Sequence, residues 1–218
     1  MTCPLCFSAD LTVYSRDKFR DYYFCPRCTL ISVSRQNILT SSEEKARYDQ
    51  HNNDSEDPRY RQYFQSVVDE ILIHQTPHSL GLDFGCGATT LMEELLVAKG
   101  MTVDSYDKFY RPDETIWSKK YDFIILSEVI EHLSDPMGTM RALRMLLREN
   151  GSFYIRTRFY PDEKSAFQNW YYKQDQTHIN FFSEDSMTWL ARELGLNGPV
   201  GLPVKDLLLI ESSHKALL

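Results

Sequence analysis

The sequence predicts an α/β protein: a doubly wound, mainly parallel sheet with a small metal-stapled module in front of it. Three observations carry this. The stretch Ser79 to Ala98, SLGLDFGCGATTLMEELLVA, reads as a buried strand over Leu80 to Phe84, a turn at Gly85-Cys86-Gly87, and a helix from about Thr89. Strand-like runs and helical patterns alternate after it. Four of the five cysteines stand as C-x2-C-x18-C-x2-C at the front of the chain.

The 218 residues, 42% hydrophobic and 25% charged, suit one ordinary domain plus a small appendage. No apolar run approaches the roughly 18 residues of a membrane span, and no basic region followed by an apolar core opens the chain. The expectation is a cytoplasmic protein. Net charge is −7, which argues against a broad nucleic-acid surface. The acidity is uneven: residues 1–40 carry +2 and the remainder −9.

Residues 1–35 form the metal module. Cys3, Cys6, Cys25 and Cys28 lie in two Cys-Pro-x-Cys turns, and Pro4 and Pro26 stiffen them. Each pair points two thiolates at one ion, and tetrahedral zinc needs four. A disulfide framework is disfavoured in a cytosolic chain. Short strands at Leu11–Tyr14 and Tyr22–Phe24 suggest a hairpin too small to build a core unaided. The expectation is a zinc ribbon with a structural ion and with Cys86 left out.

Residues 36–78 form a helical bridge. Ser41-Ser42-Glu43-Glu44 reads as a helix start, His51 to Asp57 as a polar loop, and Pro58 as a first helical position. Tyr60, Tyr63, Phe64, Val67, Val68, Ile71 and Leu72 recur at helical spacing, a stripe suited to packing on the sheet.

The glycine turn is open to two ligand readings. A dinucleotide fingerprint wants a small residue three places after the second glycine, and Thr90 stands there. Asp83, two residues before Gly85, would repel phosphate and suits a cationic group such as an amine. Met101 to Tyr106 is the next strand, ending at Asp107, 22 residues past Gly85. That is near the spacing at which a carboxylate meets ribose hydroxyls; Asp104 is the competing position. Residues 108–120 leave room for only a stub of strand at Thr115–Trp117, with Phe109, Tyr110 and Trp117 as a substitute wall. Tyr121 to Leu126 is a further strand. Pro136 opens a helix to about Arg148, and Gly151 to Ile155 is the fifth strand. Ser183 caps a helix through Leu194, and Leu196–Val200 and Val204–Ile210 close the sheet as an antiparallel pair.

LDFGCG resembles the first motif of class I S-adenosylmethionine (SAM)-dependent methyltransferases, VDSYDKF the second, and YDFIILSEVIEHLSDP the fourth-strand motif. The segment Asp175-x-x-His178-Ile-x-Phe181-Phe182-Ser183 is similar to one in small-molecule members, including sugar C-methyltransferases with an N-terminal zinc module. The resemblance covers about residues 40–212. It implies a Rossmann-like seven-stranded mixed sheet, if the stub counts, over residues 79–218, with the third strand and following helix curtailed. It also implies that the bridge caps the cofactor, with Tyr48, Tyr60 or Tyr63 in reach. Cofactor-binding positions would be Asp83, Gly85, Cys86, Gly87, Asp107, Ser127, Glu128 and Val129. Glu131 and His132 would be architectural.

His178 is either a hydrogen-bonded core residue or the base that takes the acceptor's proton, its reference pKa being about 6.5. Tyr171 or Tyr172 would shape the pocket beside it. Arg156 is either a substrate clamp or a surface charge. The expected function is methyl transfer from SAM to a small oxygen-rich acceptor, such as a sugar or biosynthetic intermediate. The alternatives are an rRNA base methyltransferase, which the acidic body disfavours, and a non-catalytic zinc-ribbon adaptor.

Overall fold

A computed structural model describes residues 1–50 and 55–212. Part of the loop expected at His51 to Asp57 therefore lies outside the described residues. Two sheets organise the chain. The larger has the order β5-β4-β6-β7-β10-β9, from β4 (Leu80–Phe84), β5 (Thr102–Tyr106), β6 (Tyr121–Ser127), β7 (Leu147–Arg156), β9 (Asn197–Gly201) and β10 (Leu207–Glu211). β5, β4, β6 and β7 are parallel, and β10 runs antiparallel to β7 and β9. The order of connection reverses at β4, so a crevice opens at the carboxyl ends of β4 and β6.

The smaller sheet has the order β1-β2-β3-β8, from β1 (Thr12–Arg16), β2 (Asp21–Phe24), β3 (Ile31–Val33) and β8 (Asn180–Phe181). Three strands come from the cysteine module. The fourth comes from the segment after β7, paired through Ile31–Phe181 and Ser32–Asn180. Tyr22, Ile31, Phe167, Tyr172, Ile179 and Phe181 share one buried cluster. The module is thus packed into the segment that carries His178.

α1 (Ser41–Tyr48) begins where its sequence predicts, with a capping box between Thr40 and Glu43. It buries none of its residues. It is held to the body by Lys108 pairing with Glu44 at 2.7 Å, by the Tyr110 hydroxyl donating to Asp49 just past its end at 2.6 Å, and by the Tyr48 ring against Phe109 and His132. α2 (Pro58–His74) starts at Pro58, capped by the Asp57 side chain accepting from the Arg59 N–H. Its carboxyl half packs Val67, Val68 and Ile71 against Phe123, Ile125 and Tyr154 of the sheet. α3 (Leu91–Val97), α4 (Pro136–Leu146), α5 (Lys164–Gln168) and α6 (Glu184–Glu193) complete the helices.

Two expectations are corrected. The sheet has six strands, because Glu114–Ser118 is a 3-10 turn and the stub at Thr115–Trp117 joins no sheet. Residues 108–120 can hold at most one crossover of roughly ten to twelve residues, whereas an extra parallel strand there would need two crossovers and the strand itself. The turn instead buries Ile116 and sets Trp117 edge-on to Phe84 and Tyr106, at 6.2 and 6.0 Å. The helix expected to Arg148 stops at Leu146 and β7 starts at once. Leu147 pairs with Tyr121, and a bulge then brings Ser152 opposite Phe123.

Candidate active site

β4 delivers the chain to Gly85, whose φ of +83° puts it in the left-handed region that favours glycine. A Cβ there would also stand 2.5 Å from a Val129 methyl. The turn is fixed from β5, since the N–H groups of Gly85 and Cys86 both donate to the Tyr106 carbonyl, at 2.7 and 3.1 Å. Gly87 donates to Asp107 Oδ2 at 3.1 Å, and Asp107 Oδ1 accepts from the N–H groups of Phe109 and Tyr110. Asp107 therefore faces the glycine turn. Asp104 does not: Lys119 and the Tyr121 hydroxyl occupy its carboxylate at 2.8 Å.

A cleft of about 820 Å³ runs from this turn to His178. Asp83, Gly85, Cys86, Gly87 and Asp107 line it together with Phe84, Tyr106, Phe109, Tyr110 and Trp117. Ser127, Glu128, Val129, His132, Leu133 and His178 line it too, as do Glu44 and Tyr48 of α1 and Tyr60, Tyr63 and Phe64 of α2. All eight positions expected to contact cofactor line this one space.

Burial, with Glu93 and Asp107 adding repulsion, pushes the Asp83 carboxyl up to about 7. A cation placed beside it would favour its ionised form. Glu128 has φ +56°, a conformation that costs an ordinary residue about 1–2 kcal/mol. Its N–H donates to the Arg156 carbonyl at 2.8 Å, and burial raises its carboxyl pKa.

Glu131 is fully buried and pushed up to about 8, by desolvation first and then by Glu128. The Tyr172 hydroxyl meets both carboxyl groups, Glu128 Oε2 at 2.9 Å and Glu131 Oε1. One phenolic hydrogen cannot serve two carboxylates, and a Glu131 protonated at neutral pH removes the conflict.

His178 is buried, with Nδ1 2.7 Å from the Tyr172 carbonyl. His132 Nδ1 lies 3.0 Å from the Thr177 carbonyl. A carbonyl partner makes Nδ1 the protonated nitrogen, leaving Nε2 as the basic atom of each ring. The rings meet edge-to-face at 4.6 Å, and His132 is likewise edge-on to Tyr48 at 5.5 Å. Ligand atoms of Glu131, His132 and His178 all fall within 4.8 Å of one another.

Three expected acceptor-side residues sit elsewhere. Arg156 lies under Tyr63, its guanidinium 3.6 Å from the ring centre and 3.3 Å from the Tyr63 carbonyl. It ties α2 to β7, because the alternation of β7 turns it toward that helix. Tyr171 is 56% exposed and stacks under Arg158. Tyr172 is buried behind His178 and supports it through its carbonyl. Tyr48, Tyr60 and Tyr63 line the cleft as the resemblance implies, and Glu44, Phe64 and His132 line it as well.

The four module cysteines are buried, and their sulfurs lie within 4.8 Å of one another. The closest pairs, Cys6–Cys25 at 3.3 Å and Cys3–Cys28 at 3.5 Å, are well beyond the roughly 2.05 Å of a disulfide. Cys86 lies apart, in the cleft.

An open α/β sheet with a ligand-sized cleft at its switch point, and acidic residues before the glycine turn and after the next strand, is the architecture of a Rossmann-like ligand-binding protein. The family described as a methyltransferase domain matches residues 57–198, and the chain belongs to it. Its sheet has the fold of the class I SAM-dependent methyltransferases.

A curated relative, the ubiquinone biosynthesis O-methyltransferase of Histophilus somni, is 22% identical over 42% of this chain and 40% of its own. The match thus spans well under half of that relative. Among solved structures, Burkholderia thailandensis 1,6-didemethyltoxoflavin-N1-methyltransferase superposes with a TM-score of 0.56 at 15% identity, over 94% of this chain and 99% of that one. That structure holds 1,6-didemethyltoxoflavin and S-adenosylhomocysteine. An O-methyltransferase family protein of the same organism gives 0.55 at 14% identity, over 79% and 64%. Among the described residues no helix is long and apolar enough to cross a membrane.

Proposed function

We propose that the protein transfers the SAM methyl group to a nucleophilic oxygen or nitrogen of a small polar acceptor, with His178 as the base. The observation that carries this is the single cleft joining the glycine turn to the His132–His178 end. Asp83 takes the ammonium of the methionine moiety, the Gly85–Gly87 backbone cradles it, and Asp107 accepts the ribose hydroxyls. Phe109, Trp117 and Tyr106 flank the adenine in place of the shortened strand. SAM supplies an activated methyl, so the protein's work is placement and removal of one proton.

His178 Nε2 accepts that proton, while the Tyr172 carbonyl holds the ring. Tyr48, Tyr63 and Glu128 bound the acceptor end. The cleft's acidic groups are Glu44, Asp83, Asp107, Glu128 and Asp135, and its one lysine, Lys108, is paired with Glu44. That balance favours a neutral or cationic acceptor and disfavours RNA phosphate. A hydroxylated small molecule or sugar derivative fits, and so does a basic ring nitrogen.

Residues 1–35 act as a zinc ribbon. Tetrahedral Zn–S bonds of about 2.3 Å suit four buried thiols this close together, and reduced thiols suit the cytoplasm.

The test is release of S-adenosylhomocysteine against a panel of phenols, sugars and heterocyclic amines. With an accepted substrate, His178→Ala is expected to cut turnover about a hundredfold to ten-thousandfold and leave SAM affinity unchanged. Activity should recover in part at high pH, as the acceptor ionises unaided. Wild-type turnover in the variant would leave placement alone to explain transfer.

A further inference from the structure

Arg20 sits in the turn between β1 and β2, yet its side chain is only 6% exposed. Its Nη1 donates to the carbonyl oxygens of Asp175, Gln176 and His178, at 3.3, 3.2 and 2.9 Å, and its Nη2 to that of Lys173. Its Nε donates to the Tyr22 hydroxyl at 3.1 Å. One guanidinium from the cysteine module thus gathers four main-chain carbonyls from residues 173–178, the segment that ends at His178.

Four convergent carbonyl dipoles, buried together, repel one another and need a cation with several donors in a fixed plane. Lysine has three donors on one atom and cannot span them. A second tie runs alongside: Asp17 accepts from Lys173 Nζ at 2.8 Å and from the Tyr22 hydroxyl at 2.7 Å. Between the 3-10 turn at Tyr171–Gln174 and β8, the segment has no regular structure of its own. Its internal bonds are a turn about Asp175. The hydrogen bonds that hold the glycine turn come from β5, and among the described residues none of them runs to the module.

We propose that Arg20 is a positioning residue for methyl transfer. The first hairpin of the ribbon clamps residues 173–178 so that His178 is held toward the cleft. The state of the cysteine module therefore reaches the acceptor end through this hydrogen-bonded clamp. This rests on the reading of His178 as the base.

The test is 15N-imidazole NMR of histidine-labelled protein, with His178 assigned by its loss in His178→Gln, beside calorimetric titration with SAM and zinc analysis. In the wild type His178 is expected to show one fixed Nδ1–H signal. Arg20→Met should lose that signal to exchange between tautomers, with zinc content and SAM affinity unchanged. Arg20→Lys should recover it in part. Stripping zinc under reducing conditions should reproduce Arg20→Met at His178 and again spare SAM binding.

An unchanged Nδ1–H signal in Arg20→Met overturns the proposal and leaves His178 its role. Loss of zinc or of cooperative unfolding in both Arg20 variants overturns it too, making Arg20 a structural ion of the ribbon. Failure of the His178 reading has a separate signature: wild-type turnover in His178→Ala.

Discussion

Asp107 and Asp104 show how little separates a ligand-facing carboxylate from a structural one. They lie three residues apart, but Asp104 spends its acceptors on Lys119 and Tyr121, while Asp107 stands across from Gly87. Asp107→Ala is expected to remove charge-assisted bonds worth roughly 1.5–3 kcal/mol, weakening SAM about tenfold to 150-fold by calorimetry. Asp83 gives a pH signature. Its carboxyl is pushed up to about 7, and a bound ammonium favours the ionised form. SAM affinity should therefore rise as pH increases from about 5.5 to 7 and level off above it, until the ammonium itself titrates near 7.7–8.0. Asp83→Asn should bind more weakly and lose the rise. A rise that persists in Asp83→Asn would move the cation site elsewhere.

The β4–α3 connection works as an element because two constraints meet at Gly85: a positive φ and a methyl of Val129 in the way of any Cβ. Gly85→Ala should weaken SAM by more than tenfold, since the left-handed conformation alone costs about 1–2 kcal/mol. Adding Val129→Ala should recover part of the loss, the steric part, and a titration of both variants measures it. α1 is an element of a different kind. It has no fully buried residue and is held by Glu44–Lys108, by Asp49–Tyr110 and by the Tyr48 ring against Phe109 and His132.

Across the whole molecule, the buried carboxyls of Asp83, Glu128 and Glu131, all raised by burial, contribute to the pH dependence of the ligand-free protein. Asp83 and Glu131 have raised pKa values, about 7 and 8. Each favours folding while protonated, so the contribution is present in full below about pH 4 and lost as pH rises through 7 to 8. Asp17 and Asp175 are held low by their hydrogen bonds, and what they contribute is lost only as pH falls below about 4. Urea unfolding of the ligand-free chain should show stability falling from about pH 5 to 8, with a shallower slope in Asp83→Asn. The zinc expected at Cys3, Cys6, Cys25 and Cys28 should appear as one ion per chain by elemental analysis. Its removal should lower the unfolding midpoint of the entire protein, because the module shares its buried aromatic cluster with Phe167, Tyr172 and Phe181.

What the sequence determined by itself was local. The Gly-x-Gly turn, the acidic residue after the second strand, the helix starts at Ser41 and Pro58 and the two Cys-x-x-Cys pairs each rest on residues close together in the chain, where φ preferences, capping and ligand spacing act. Tertiary structure decided what depends on partners distant in sequence. It made Thr115–Trp117 a turn, because too little chain lay on either side to reach the sheet. It laid Arg156 against the Tyr63 ring, left Tyr171 exposed, and set the Tyr172 carbonyl on His178 Nδ1. It joined β8 to β3, so that a hairpin near residue 20 holds a histidine at 178. No periodicity records such a contact, because a buried cation and the carbonyls it gathers share neither a motif nor a spacing.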